Sequence, residues 1–224
     1  LVQATTTDSV DALLTTLTSI VEELSHDGPP TVVGLGIPGL HSTDTGLTDF
    51  SPNLRCVDGV NVATRLSERT GLAVVGRNDA DMAAWGEFSV GAGVGTLDMA
   101  CLTLGTGVGS GLILKGHINT GQSGYGAEAG HMIVDFAGLP CPCGGHGCLE
   151  TVASATGLVA MAHRRLETEA KSALHSARHP LTAKAIHDAA IEGDAVAIEV
   201  LAHAGRYLGI ACASLINLLN LEMI

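Results

Sequence analysis

The segment Cys141-Pro142-Cys143-Gly144-Gly145-His146-Gly147-Cys148 constrains this chain more than any other feature. Three thiols and an imidazole lie close together, and the glycines between them let the backbone fold back around a small volume. Thiolates with one imidazole suit a tetrahedral Zn2+. Two histidines compete for the fourth position: His146 inside the loop, and His131, ten residues before Cys141. Three unpaired reduced cysteines are the weaker reading of such crowding. A closed four-ligand site would be structural, and its metal would contribute folding free energy, about 10–16 kcal/mol apparent in small zinc modules. Cys56, Cys101 and Cys212 lie in apolar surroundings, so the six cysteines do not read as a disulfide framework. The expected location is therefore cytoplasmic, in a reducing compartment. A nucleic-acid zinc knuckle is opposed by the charge balance: 11 basic against 23 acidic residues leave −12 and no basic stripe, so no nucleic-acid partner is expected.

Around this loop the chain alternates strand and helix, which argues for an α/β fold. Residues 8–24 carry apolar side chains at helical spacing, with Asp8 or Ser9 as a cap and 26–30 (His-Asp-Gly-Pro-Pro) as a stop. Residues 31–37 read as a buried strand closed by Pro38-Gly39, residues 60–69 as a short helix ending at Gly71, and 72–76 as a second strand. Asn78-Asp79 opens a helix through Phe88. After the glycine-rich stretch 91–95 come two strands, 99–104 and 111–114, a loop-rich segment 116–130, and three helices over 151–170, 180–191 and 195–220. A lobe boundary is expected near 96–98, giving 1–97 and 98–224. The longest strongly apolar uncharged run, 207–221, is about 15 residues against the roughly 20 of a bilayer span, and residues 1–5 carry no basic or apolar leader pattern; no membrane partner is expected. Aromatics make up only 3% of the chain, so the core must be built from Ala, Val, Leu and Ile.

Three further groups of residues can carry chemistry. Gly105-Thr106-Gly107-Val108-Gly109-Ser110-Gly111 lacks the Lys of a nucleotide P-loop and the third Gly of the dinucleotide fingerprint. Its amides and the Thr106 and Ser110 hydroxyls could still hold phosphate oxygens; an ordinary tight turn is the plainer reading of the glycines alone. Asn78-Asp79 stands at a strand–helix junction, where a carboxylate can take a proton from a substrate hydroxyl or merely cap the helix, a role Asp81 could also fill. Glu128 and His131 precede the cysteine loop and Glu150 follows it. A metal that pins the segment between them would hold these groups rigidly, which suits the reading of sugar hydroxyls.

Together these motifs resemble the ROK family of sugar kinases and repressors, most of all its glucokinase branch. The resemblance is carried by Leu104–Gly111, Asn78-Asp79-Ala80, Glu128-Ala-Gly-His131 and Cys141–Glu150, and more weakly by Gly34–Gly39 and Ser51-Pro-Asn-Leu54. It implies an actin-like two-lobed ATPase fold and the transfer of a phosphoryl group from ATP, with Mg2+, to a hexose. By the same resemblance Asp79 is the base for the sugar's 6-hydroxyl. Asn78, Asp79, Glu128, His131 and Glu150, with Asn53 and Gly39 as weaker members, contact the sugar, and Gly105, Thr106 and Gly107 hold the transferred phosphate. His131, Cys141, Cys143 and Cys148 bind structural Zn2+, with His131 also facing the sugar and His146 a bystander. A homo-oligomer, dimer or tetramer, is implied as well. The family's opening Asp-x-Gly-Gly-Thr motif and its C-terminal glycine motif are not in these 224 residues, and both ends read as cut, so the chain alone is expected to bind ATP poorly. A sugar-sensing repressor is the alternative, with a non-catalytic zinc-dependent interaction module behind it.

Overall fold

The structure, a computed structural model, describes residues 5, 8–26, 28, 30–176 and 180–224. Asp27 and Pro29 of the expected helix stop, and residues 1–4 of the expected leaderless start, lie outside the described residues. Helix α1 (Val10–Leu24) starts at Ser9, whose hydroxyl accepts the Ala12 amide, so Ser9 rather than Asp8 is the cap. Strand β1 (Val32–Ile37) pairs in parallel with β4 (Ala73–Asn78), from Val32 opposite Ala73 to Ile37 opposite Asn78. Parallel neighbours need a crossover, and the connecting segment includes helix α2 (Val62–Thr70). Asn61 caps α2 and Gly71 ends it in the left-handed conformation that glycine adopts freely (φ 72°). Leu14, Ile37, Val57, Val62 and Leu66 close one core between α1, α2 and β1. Two short strands, β2 (Leu40–His41) and β3 (Thr48–Phe50), form a hairpin that sequence patterning missed; at two and three residues they are too short to show a period.

Helix α3 (Asp79–Val90) follows β4 directly and packs on β1 and β4, and also on an antiparallel sheet of β5 (Met99–Leu104), β6 (Val108–Leu114) and β7 (His117–Ile118). Strand β6 begins at Val108, three residues earlier than the pattern predicts, because Leu104 pairs with Val108 and the glycines at 109 and 111 lie inside the ladder. Those glycines admit α3. A Cβ at Gly109 would come within 2.9 Å of the Ala80 Cβ, and one at Gly111 would overlap the Ala84 Cβ. With both absent, α3 lies flat on β6, its first turn against Gly109 and Gly111. The remainder is helical: α4 (Glu150–Ala153), α5 (Ala155–Leu166), α6 (Ala183–Ile191) and α7 (Ala195–Leu219). The single helix expected over 151–170 breaks at Ser154, which caps α5 by accepting the Gly157 amide. Ala162, Ile186, Val196, Ala197 and Val200 join α5, α6 and α7 into a second core.

Helix α7, at 25 residues, is long and apolar enough to span a bilayer by length and composition. It nevertheless carries Glu199 and Arg206, and it buries Val196, Val200, Ala211 and Leu215 within the molecule. Just beyond it, the Glu222 Oε2 accepts the amides of Leu97 (2.6 Å) and Asp98 (3.4 Å), and Ala100 donates its amide to the Met223 carbonyl. The region of the expected lobe boundary is thus tied down by the far end of the chain.

Candidate active site and metal centre

The ligand atoms of His131, Cys141, Cys143 and Cys148 all lie within 4.8 Å of one another. The Cys143 and Cys148 sulfurs are 3.7 Å apart, and His131 Nδ1 is 3.6 Å from the Cys141 sulfur. A tetrahedron built on a Zn–S bond of about 2.3 Å and a Zn–N bond of about 2.0 Å has S···S edges of about 3.8 Å and S···N edges of about 3.5 Å. The donor set therefore fits zinc in type and in spacing. Among the described residues the competition between histidines goes to His131; His146 stays exposed, its backbone bridged to Pro140. The loop is shaped by backbone bonds from the Cys141 amide to the Gly145 carbonyl (2.8 Å) and from the Gly144 amide back to Cys141 (3.0 Å). Gly147 (φ 69°) abuts the Asp135 carbonyl so closely that a Cβ would overlap it. Burial, reinforced by its thiol neighbours, pushes the Cys148 thiol up to about 12, and burial also raises Cys141. The Gly145 amide lowers exposed Cys143. Two of the thiols thus resist ionisation unless a cation compensates, which is the work a bound metal does.

Asn78 settles which residue caps α3. Its Oδ1 accepts the amides of Ala80 (2.8 Å) and Asp81 (3.2 Å), and its Nδ2 donates to the Gly39 carbonyl (3.0 Å). Asp79 is therefore not the cap. It stays exposed at the end of β4, with Oδ1 accepting the Ala80 amide at 3.0 Å. Gly39 (φ 116°) presses on the Phe50–Ser51 backbone, where any Cβ would overlap the Phe50 carbonyl. Ser51 is fully buried and donates its amide to Asp58, while Asn53, two residues on, is exposed. Asn53 makes no hydrogen bond to Asp79, Glu128 or His131.

The acids do converge. Burial raises the Glu128 carboxyl; the His131 ring pulls it back down, and the charges of Glu150 and Asp79 push it up again. The charges of His131, Glu150 and Asp79 thus all lie close enough to act on Glu128. Glu150 lies in an unforeseen place: its Oε2 accepts the Val108 amide (3.1 Å) and stands where a Cβ on Gly107 would be. The acid that follows the metal loop thus rests against the glycine loop. That loop is held further by α5, with the Ala155 amide on the Gly105 carbonyl and the Thr156 hydroxyl on the Thr106 carbonyl, each at 2.8 Å. Ser110 does not face the loop, as its place in the motif suggested. Because β6 already runs at 108, its hydroxyl points to the Ala127 carbonyl and the Ala129 amide, flanking Glu128.

Sequence reasoning credited Asp81 only as a possible cap. It is 6% exposed, and burial first, then Glu128, raise its carboxyl to about 6, with Arg77 opposing and Asp79 adding to the rise. Its place among Ala80, Met82, Ala83 and Ala84 in the first turns of α3 was the available signal. An acid that holds its proton more tightly when folded stabilises the fold at low pH, and this contribution is lost as pH rises from about 4 through about 6. Asp81→Asn should therefore stabilise the protein by about 2–3 kcal/mol at pH 7.5 and by little at pH 4. Thermal melts at the two pH values check this, and an equal effect at both would refute it.

The sequence matches the ROK family over residues 1–224. It is 43% identical over 196 residues to the glucokinase of Halalkalibacterium halodurans, covering 86% of this chain and 59% of that protein. It is 32% identical over 194 residues to the DNA-binding transcriptional repressor Mlc of Escherichia coli, covering 87% of this chain and 47% of that one. The chain thus spans less than two thirds of the length of these relatives. The fold is that of a ROK family glucokinase from Streptomyces griseus solved with glucose and AMPPNP, with a TM-score of 0.84, 32% identity, and coverage of 98% of this chain and 72% of that one.

Proposed function

Since the chain belongs to the ROK family and has its α/β, actin-like ATPase fold, we propose that the protein bearing it phosphorylates a hexose, glucose by preference, at the 6-hydroxyl with ATP. The observation that supports this most is Glu150 resting against Gly107 while Ser110, on the strand that leaves that loop, holds the backbone on both sides of Glu128, with His131 and Asp79 near enough for their charges to act on it. In this reading residues 1–97 and 98–224 belong to two lobes with the sugar between them. Glu128, Glu150 and the His131 ring, joined by Asn78, Asn53 and the Gly39 backbone, accept and donate hydrogen bonds to the sugar hydroxyls. Asp79 takes the proton as the 6-oxygen attacks the γ-phosphorus. The bond to the β-phosphate oxygen breaks in line, and ADP leaves. The 105–107 loop holds the moving phosphoryl group through the amides of Thr106 and Gly107, the Gly105 amide closing the turn on the Gly107 carbonyl (3.0 Å), with ATP entering as its Mg2+ complex. Zinc on His131, Cys141, Cys143 and Cys148 serves structure: it fixes the segment that carries Glu128 at one side and Glu150 at the other. The location is cytoplasmic and the assembly a homo-oligomer.

The repressor reading is supported by the similarity to repressors such as Mlc. An ATP-coupled screen of glucose, mannose, fructose, N-acetylmannosamine and allose with the full-length protein separates the two. Turnover with glucose above the others is expected. Sugar binding without turnover of any hexose, in zinc-loaded protein, would favour the repressor.

A further inference from the structure

Residues 119–127, between β7 and Glu128, form a strap that leaves its own sheet and lies on the β2–β3 hairpin. Three contacts seat it. The Thr43 amide donates to the Ser123 carbonyl (3.2 Å). Gly124, at φ 94°, approaches the His41 carbonyl so closely that a Cβ would overlap it. The Tyr125 hydroxyl donates to Asp49 Oδ2 at 2.6 Å, a charge-assisted bond across 76 residues of sequence. The strap then turns through Ala127, which holds a left-handed φ of 63° without being glycine, and delivers Glu128. Ser110 clamps both sides of that turn. The hairpin is itself stapled, its His41 ring bonded to the Ile37 carbonyl (2.8 Å) and the Thr48 hydroxyl (3.2 Å), and it begins next to Gly39, whose carbonyl holds Asn78. Strap and hairpin therefore lead from one contact to the two sides of the site: Glu128 three residues after Tyr125, and Asn78-Asp79 through Gly39.

We infer that Tyr125 and Asp49 are a positioning pair: their hydrogen bond seats the strap on the hairpin and so sets Glu128 opposite Asp79 for sugar binding. This rests on the sugar-site reading above. Neither side chain bonds to the proposed sugar-binding residues or belongs to the metal set; the pair acts through the backbone it holds.

The test uses Tyr125→Phe, Asp49→Asn and the double variant in the full-length protein. Each single change should raise KM for the hexose about fivefold with kcat within twofold of the parent, since a group that only places Glu128 changes ground-state and transition-state binding alike. The double variant should be no worse than either single one, because all three lose the same bond. Amides of 119–127 should exchange hydrogen faster in Tyr125→Phe without sugar, with zinc content unchanged. Unaltered KM and exchange, or effects that add in the double variant, would overturn the pairing. A parent protein that binds no hexose would overturn the sugar-site reading instead, and accelerated exchange in the variant would still report the latch.

Discussion

Asp79→Asn is expected to lower kcat for hexose phosphorylation by about 10²–10⁴-fold, the usual contribution of a positioned general base, while the sugar dissociation constant stays within a few-fold. The geometry makes this a clean substitution. Asn78, not Asp79, caps α3, so the helix keeps its start. The one bond that Asp79 makes locally, from the Ala80 amide to Oδ1, can be kept by the amide oxygen of asparagine. What is lost is the capacity to hold the proton of the attacking hydroxyl. Isothermal titration with glucose and a coupled assay on the same preparation check both halves. Turnover that survives would remove Asp79 from the base position. Loss of sugar affinity in parallel with kcat would mean that the residue binds the hexose rather than deprotonates it.

The second large effect is expected from Cys143→Ser. Cys143 is exposed where Cys141 and Cys148 are buried, so the change removes a sulfur ligand without opening a cavity. Any loss of stability then comes through the metal. With one of four ligands gone, zinc per chain should fall towards zero on dialysis. Stability should drop by about 3–5 kcal/mol, a part of what small zinc modules gain from their metal, seen as a melting temperature lower by roughly 10 °C. Sugar affinity should fall with it, because the His131 amide bonds the Glu128 carbonyl (3.0 Å) and Glu150 lies two residues after Cys148. Elemental analysis, a melt and a glucose titration check the three consequences. Undiminished zinc would eliminate Cys143 from the ligand set, and lost zinc with intact sugar affinity would uncouple the metal from the site.

The cysteine cluster, the α/β alternation, the Asn78-Asp79 junction and the helices of the second half, except for the break at Ser154, were legible from residue type and spacing, because each is governed by neighbours in sequence. A thiol cluster needs only short range to declare a metal, and a helix needs only its own period and caps. Tertiary structure alone decided what depends on distant partners. Spacing by itself left His131 and His146 open, and only the fold brings the 131 segment against the loop, through the Leu149 amide and the Met132 carbonyl. It buried Asp81 within reach of the Glu128 charge, turned Ser110 away from the 105–107 loop, and laid Glu150 against Gly107. It also joined Tyr125 to Asp49. In each case the free energy comes from contact between segments that are not neighbours in sequence, and such contact exists only once the chain has packed.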